Sequence, residues 1–198
     1  MNPTEKLSTA YHEAAHLVAD ILFNLRPREA SVIGNGFYSG YVAISNQLRP
    51  KYSQKEKIKA WEEGRQLDQV CLFDHEDENL ERQRRIGKKK IISSLAGFIA
   101  EKKVNPLADP DYSADDFEKV VIIIDIVYHF PKKYIDPDGV RNIGRFIECR
   151  FMPFAEKFVE DYFHEIEYTA ELLFAQKILA ESDIQGLKKI IKRKNKSL

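Results

Sequence analysis

The sequence predicts one mostly helical α+β domain, with a small sheet and a C-terminal helical bundle. Three observations predict it. The chain has 198 residues, of which 43% are hydrophobic and 31% charged, as in a single domain with its own core. Apolar residues recur every three or four positions over several long segments, and only three short segments favour extended backbone by composition.

Charge and cysteine content exclude several classes of protein. The chain has 31 basic and 31 acidic residues, so neither a disordered chain nor a nucleic-acid-binding domain is indicated. Cys71 and Cys149 form neither a disulfide framework nor a cysteine-based zinc site. No apolar run is long enough for a membrane span, and the first residues do not form a signal peptide. We therefore expect a protein of the reducing cytoplasm.

The N-terminal third predicts one helix followed by a hairpin. Residues 3–25 carry apolar side chains at helical spacing, and Arg26-Pro27 ends the helix. Residues 30–33 and 40–44 are rich in β-branched and aromatic side chains, and the glycine-rich turn at 34–36 lies between them. These two segments are expected to pair as strands.

The remaining segments are mostly helical. Residues 51–90 are densely charged and predict an accessory insert of one or two exposed helices. Residues 91–104 predict a more apolar helix, residues 144–180 a long helical segment, and residues 184–192 a terminal helix before a basic tail. Residues 120–127 are rich in β-branched side chains, and propensity alone favours a buried strand there.

The chemistry-bearing motif is His12-Glu13-Ala14-Ala15-His16, inside the first predicted helix. Histidines four positions apart project from one helix face, so both imidazoles can bind a single zinc ion. Glu13 is then placed to act as the general base on a water molecule. The ordinary alternative is a pair of surface histidines beside a glutamate.

A catalytic zinc needs a third protein ligand, and two common continuations of the motif are absent. Ala19 and Leu22 stand where the metzincin pattern requires glycine and histidine. Glu29 falls in a strand-like segment, which makes it a poor match for the helical glutamate of thermolysin-like enzymes. The residues alone therefore leave the third ligand open.

The motif and its surroundings resemble the peptidase domain of FtsH-type ATP-dependent zinc proteases. Residues 9–16 are similar to that family's Ala-Tyr-His-Glu-Ala-Gly-His motif. Four further segments resemble family segments in the same order along the chain: Val32-Ile33 with Ser39-Gly40-Tyr41-Val42, Leu95-Ala96-Gly97-Phe98-Ile99-Ala100-Glu101, Ser113-Ala114-Asp115-Asp116-Phe117, and residues 175–184.

The resemblance implies a fold, a ligand set and an activity. By its register Asp116 is the third zinc ligand beside His12 and His16, and Asp115 is the competing candidate because a slip of one residue exchanges them. It also implies that Asp116 begins a helix, which makes residues 120–127 helical. The implied activity is a zinc metallopeptidase with Glu13 as its catalytic base, acting on extended or unfolded polypeptides.

The chain also departs from that family. It contains no Gly-x-x-x-x-Gly-Lys-Ser/Thr phosphate loop, so unfolding of substrates would require a separate ATPase or adaptor. Ala15 replaces the usual glycine, and the 51–90 insert lengthens the interval before Asp116. Two other functions share the motif: a non-catalytic peptide-binding or adaptor domain, and a different His-Glu-x-x-His regulatory peptidase. For the latter, His75, His129 and Glu101 are the next candidates for the third ligand.

Overall fold

The computed structural model describes residues 3–33, 40–44, 80–108, 114–128, 134–135 and 141–194. Within these ranges seven helices and three strands share one hydrophobic core. In chain order they are α1 (Pro3–Phe23), β1 (Pro27–Ser31), β2 (Tyr41–Ile44), α2 (Leu80–Val104), α3 (Ala114–Val127), α4 (Ile143–Arg150), α5 (Met152–Asp161), α6 (Phe163–Gln176), β3 (Ile178–Leu179) and α7 (Glu181–Lys194).

The three strands form an antiparallel sheet in the order β2-β1-β3. The predicted pairing of the first two strands is confirmed, although β1 begins at Pro27 and the predicted strand residues Val32 and Ile33 lie beyond its end. The register between β1 and β2 shifts between Pro27 and Glu29, so one residue of β1 forms a bulge. A mostly helical α+β fold is confirmed.

Helix α1 is the centre of the core. It packs most extensively against α2 and α6, and most of its apolar residues are buried. Many of these are alanine, and such small side chains allow neighbouring helices to approach closely. Within the described ranges, no helix is both long and apolar enough to cross a membrane.

Helix α3 shows why the β-branched run at 120–127 is helical. Its buried residues are Val120, Ile123, Ile124 and Val127, a spacing that places all four on one helix face against α2. Burial of this stripe therefore overrides the strand propensity of the individual residues. The helix implied by the resemblance is confirmed here.

Helix α2 begins earlier than predicted. It starts at Leu80, so the first eleven residues of its 25-residue length belong to the predicted charged insert. Residues 45–79, which hold the rest of that insert and His75, lie outside the described residues. The expected end of the helix before Pro106 is confirmed.

The predicted long helix at 144–180 was wrong, since the structure has three helices and a strand there. Pro153 has no N–H to donate to the carbonyl of residue 149, so α4 ends and α5 starts with this proline in its first turn. Lys177 adopts a left-handed conformation with φ 72°, which ends α6. The chain then pairs Ile178 and Leu179 with β1.

Candidate metal centre

A row of polar residues joins α1 to α2, and we call it the polar seam. Its members lie four positions apart on each helix, so they share one face. They are Ser8, His12, His16 and Asp20 on α1, and Ser93, Gly97 and Glu101 on α2. Contacts run from Ser8 with Glu101 at one end to Asp20 with Ser93 at the other, which makes the two helices antiparallel.

The two histidines of the seam point at one carboxylate oxygen. Asp116 Oδ2 lies 2.9 Å from His12 Nε2 and 3.0 Å from His16 Nε2. Asp116 stands in the first turn of α3, and 13% of its side chain is exposed. Within the described part of the chain, these three residues are the group whose ligand atoms lie close enough together to hold a metal ion, all within 4.8 Å.

The other ring nitrogens of both histidines are fixed by acceptors. His12 Nδ1 donates to Glu101 Oε2 at 2.9 Å, and His16 Nδ1 donates to the carbonyl oxygen of Ser93 at 2.8 Å. Neither acceptor can donate a proton, so each neutral imidazole carries its hydrogen on Nδ1 and presents the lone pair of Nε2. This is the arrangement in which zinc-binding histidines are held.

The donor set fits a divalent cation. Two imidazole lone pairs and one carboxylate oxygen converge, and only a positively charged species between them relieves their repulsion. Ligand atoms around tetrahedral zinc lie about 3.3 Å apart, given metal–ligand bonds of about 2.0–2.1 Å. The observed separations of 2.9 and 3.0 Å from Asp116 are close to that value. Two nitrogens and one oxygen are also a common zinc ligand set.

Without a metal, protons take the place of that positive charge. Burial alone would lower the pKa of His12, but hydrogen bonds to Asp116 and Glu101 outweigh burial and raise the pKa to about 10. Burial likewise opposes ionisation of Asp116, yet the neighbouring imidazolium of His16 and the hydrogen bonds from both histidines hold the pKa of the Asp116 carboxyl well below its usual range. The site thus stabilises positive charge between these groups.

Two further groups complete the surroundings of the ligands. Ser8 Oγ donates to Glu101 Oε1 at 2.6 Å, so both oxygens of that carboxylate are occupied. Lys119 Nζ donates to Asp116 Oδ1 at 2.9 Å, on the oxygen that the histidines leave free. Each contact holds a carboxylate in one orientation, which fixes the oxygen that faces the histidines.

Glu13 lies beside the sheet. Its side chain is buried, and burial raises the pKa of its carboxyl group. A Cβ atom placed on Gly40, which directly precedes β2, would lie 2.7 Å from Glu13 Cγ and 2.8 Å from Glu13 Oε1. The absence of a side chain at Gly40 therefore lets the start of the strand pass directly against the carboxylate.

Gly97 provides the corresponding space on α2. A Cβ atom there would lie 2.6 Å from His16 Nε2 and 2.8 Å from His12 Nε2. Real Cβ contacts are not this short, so any side chain at this position would displace a ring or the helix. The close approach of α2 to both ligand nitrogens depends on glycine.

The structure distinguishes between the candidates that the sequence offered. It brings Asp116 to the histidines, while Asp115 is exposed on α3. Glu101 contacts Nδ1 of His12, the nitrogen that faces away from Asp116, so it holds that imidazole and does not join the cluster. His75 and His129 lie outside the described residues.

Sequence reasoning passed over Ser93 and Lys119, and it noted Gly97 only as a small residue that permits close packing. Asp20, one turn after His16, is expected from the sequence to be a solvated helix carboxylate, with an acceptor for His16 as the alternative; the first expectation was wrong, because this side chain is buried and accepts a hydrogen bond from Ser93 Oγ at 2.8 Å. One signal was present: polar residues recur every fourth position through an otherwise apolar helix, from Ser8 to Asp20.

Comparison of this chain with protein-family models and with curated proteins found no match. The similarity to FtsH-type peptidases accordingly rests on the short segments quoted above and stays a prediction.

Proposed function

We propose that this protein is a zinc metallopeptidase that cleaves extended or unfolded polypeptides. One observation carries the proposal: His12 and His16 direct their Nε2 atoms at Asp116, and the buried carboxylate of Glu13 interacts electrostatically with all three and lies against Gly40 at the start of β2. A purely structural metal site needs no such carboxylate. A peptidase site needs it as a base.

His12, His16 and Asp116 would hold the metal. When bound, zinc supplies Lewis acidity, which acidifies a water molecule and polarises a carbonyl oxygen. Glu101 and the Ser93 carbonyl keep the two imidazoles in the tautomer that binds a cation, and Lys119 keeps one oxygen of Asp116 turned to the site.

Glu13 moves the proton. As a carboxylate it takes a proton from the attacking water while the oxygen forms a bond to the scissile carbon. The same proton then passes to the departing nitrogen as the C–N bond breaks, which leaves a carboxylic acid and an amine. Burial raises the pKa of Glu13, which makes its carboxylate a stronger base than an exposed one and so favours the first of these transfers.

Extended polypeptides are the substrate class that the sheet favours. Among the described strands β2 pairs only with β1, so its other edge presents backbone groups beside Glu13. An extended peptide adds to such an edge through main-chain hydrogen bonds, which are independent of its side chains. Folded proteins cannot offer a free strand, so we expect them to be cut only with the help of a separate ATPase or adaptor.

The test is Glu13→Gln in the zinc-loaded protein, with casein and a peptide library as substrates. Glutamine retains the shape of glutamate and removes the base, so cleavage should fall by about two to four orders of magnitude while bound zinc stays near the wild-type amount. Glu118→Gln, an exposed position on α3, is the matched control and should retain full activity.

Two outcomes would contradict the proposal. Equal cleavage by wild type and the Glu13 variant would mean that the activity arises elsewhere. Zinc binding without cleavage of any unfolded protein or peptide would favour the adaptor function, in which the sheet edge binds peptides and the metal is structural.

A further inference from the structure

A second polar region lies at the C-terminal end of α1. There the last turn of α1, the beginning of β1 and the first half of α7 enclose a cleft of about 230 Å³. We call it the arginine cleft. Its polar lining includes Asp20, Asn24, Arg26, Arg28, Gln185 and Lys188.

Two local backbone irregularities place the arginines at this cleft. Arg26 adopts a left-handed conformation with φ 57°, which is uncommon for a residue with a side chain. Arg28 falls at the bulge of β1, between Pro27 and Glu29, where the register against β2 shifts. Bulges redirect a side chain away from the regular alternation of a strand. Both arginines of this three-residue stretch line the cleft.

The cations of the cleft differ in their pairing from other cations of the surface. Within the described part of the chain, Arg26, Arg28 and Lys188 make no ion pair or side-chain hydrogen bond, unlike Lys119 and Lys157 elsewhere on the surface. Glu181 at the rim pairs with none of the three, and Asp20 at the base is engaged by Ser93 Oγ. Three like charges around a concave surface raise the local positive potential.

We propose that the arginine cleft binds a phosphate group. Guanidinium groups match phosphate oxygens with paired donors, and an ammonium group adds a third direction of approach. A bound dianion would remove the repulsion between the three cations. The neutral amide of Gln185 lies beside it, and Asn24, whose Oδ1 accepts a hydrogen bond from Lys192 Nζ at 2.6 Å, keeps its amide N–H donors, which suits a ligand that carries further hydroxyl or ester oxygens.

The phosphate is either free or part of a small phosphomonoester, and the probes separate the two sources. Inorganic phosphate, glycerol 3-phosphate and acetate are titrated by calorimetry at one ionic strength into the zinc-loaded protein and again after chelation. Binding at the cleft should be saturable, should survive chelation and should be weakest for acetate. Tighter binding of glycerol 3-phosphate than of phosphate identifies an ester ligand, and the reverse identifies free phosphate.

Variants locate the binding. Arg28→Gln and Lys188→Gln should each weaken phosphate binding about tenfold or more, because each removes charge-assisted hydrogen bonds. Lys189→Gln carries the same loss of charge at the next position of α7, outside the lining, and should change affinity less than twofold. Equal losses for Lys188 and Lys189, or binding that disappears on chelation, would overturn the proposal.

Arg26→Gly separates binding from folding. Glycine accepts a positive φ without strain, so the melting temperature should stay the same or rise while phosphate affinity falls about tenfold. Retained affinity in this variant would remove Arg26 from the site and contradict the proposed arrangement.

Discussion

The polar seam and the arginine cleft share Asp20 and differ in how their charges are paired. In the seam each side chain meets a complementary group on another helix: Ser8 and His12 both donate to Glu101, and His16 donates to the carbonyl of Ser93. In the cleft three cations face one space without a partner among the described residues. The seam is buried and the arginines of the cleft are exposed.

The two regions therefore require bound species of opposite charge. Buried carboxylates and imidazoles that converge need a cation between them, either protons or a metal. Exposed cations that converge keep their hydration and can bind an anion without a large desolvation cost. A substitution that adds a side chain to one region, or removes a charge from it, should therefore leave the other region intact.

The largest effect is expected from Gly97→Ala in the seam. The added Cβ would lie 2.6 Å from His16 Nε2, so a ligand ring or α2 must move. We expect zinc affinity to fall about a hundredfold and the free energy of unfolding to fall by about 1–3 kcal/mol. Competition with a chelating dye and chemical denaturation measure the two quantities.

Gly186→Ala is the matched control for this change. No atom lies within 4 Å of the position a Cβ would take at Gly186, in the middle of α7. Alanine should stabilise that helix by about 0.5–1 kcal/mol and leave zinc affinity unchanged. A similar loss of zinc in both variants would show that α2 does not constrain the ligand nitrogens.

The next effect concerns adjacent residues, Asp116 and Asp115. Asp116→Asn removes the charged ligand oxygen, so zinc affinity should fall tenfold or more and peptidase activity should disappear. Asp115→Asn should retain zinc and cost on the order of 1 kcal/mol at most, through a lost helix N-terminal interaction. The opposite result would transfer the ligand role to Asp115, and loss in neither variant would place the third ligand elsewhere.

The sequence predicted part of this centre because the relevant geometry is local. Helix pitch alone places His12 and His16 on one face, and their pairing follows from a spacing of four. Asp116 is a hundred residues further along the chain, so only similarity to a family could select it. The partners of the imidazoles, Glu101 and Ser93, depend on how two helices pack, which periodicity does not specify.

The fold shows the same division. The buried residues from Val120 to Val127 recur with the period of a helix, yet their β-branched side chains individually favour a strand. The helix predicted over 144–180 ran through Pro153, which lies in the first turn of α5, and β3 depends on pairing with a distant strand and leaves almost no local signal. Arg28 likewise becomes a cleft residue only through the register of β1 against β2.

The smallest effect comes from Asp20, which belongs to both regions. Burial raises the pKa of this carboxyl group to about 6, above its value in an unfolded chain, despite the hydrogen bond from Ser93. The folded state therefore binds more protons than the unfolded state between about pH 4 and pH 6. Its contribution to stability is present in full below pH 4 and is lost as the pH rises through 6.

Asp20→Asn should remove this dependence. Asparagine can still accept the hydrogen bond from Ser93 and carries no charge, so at pH 8 the metal-free variant should be more stable than wild type by about 1–3 kcal/mol. The difference should shrink towards zero as the pH falls to 4, as measured by urea denaturation across that range. Asp161→Asn, on the exposed surface of α5, is the control and should shift stability by less than about 0.5 kcal/mol. A variant less stable than wild type at every pH would mean that the Asp20 carboxylate itself stabilises the junction between seam and cleft.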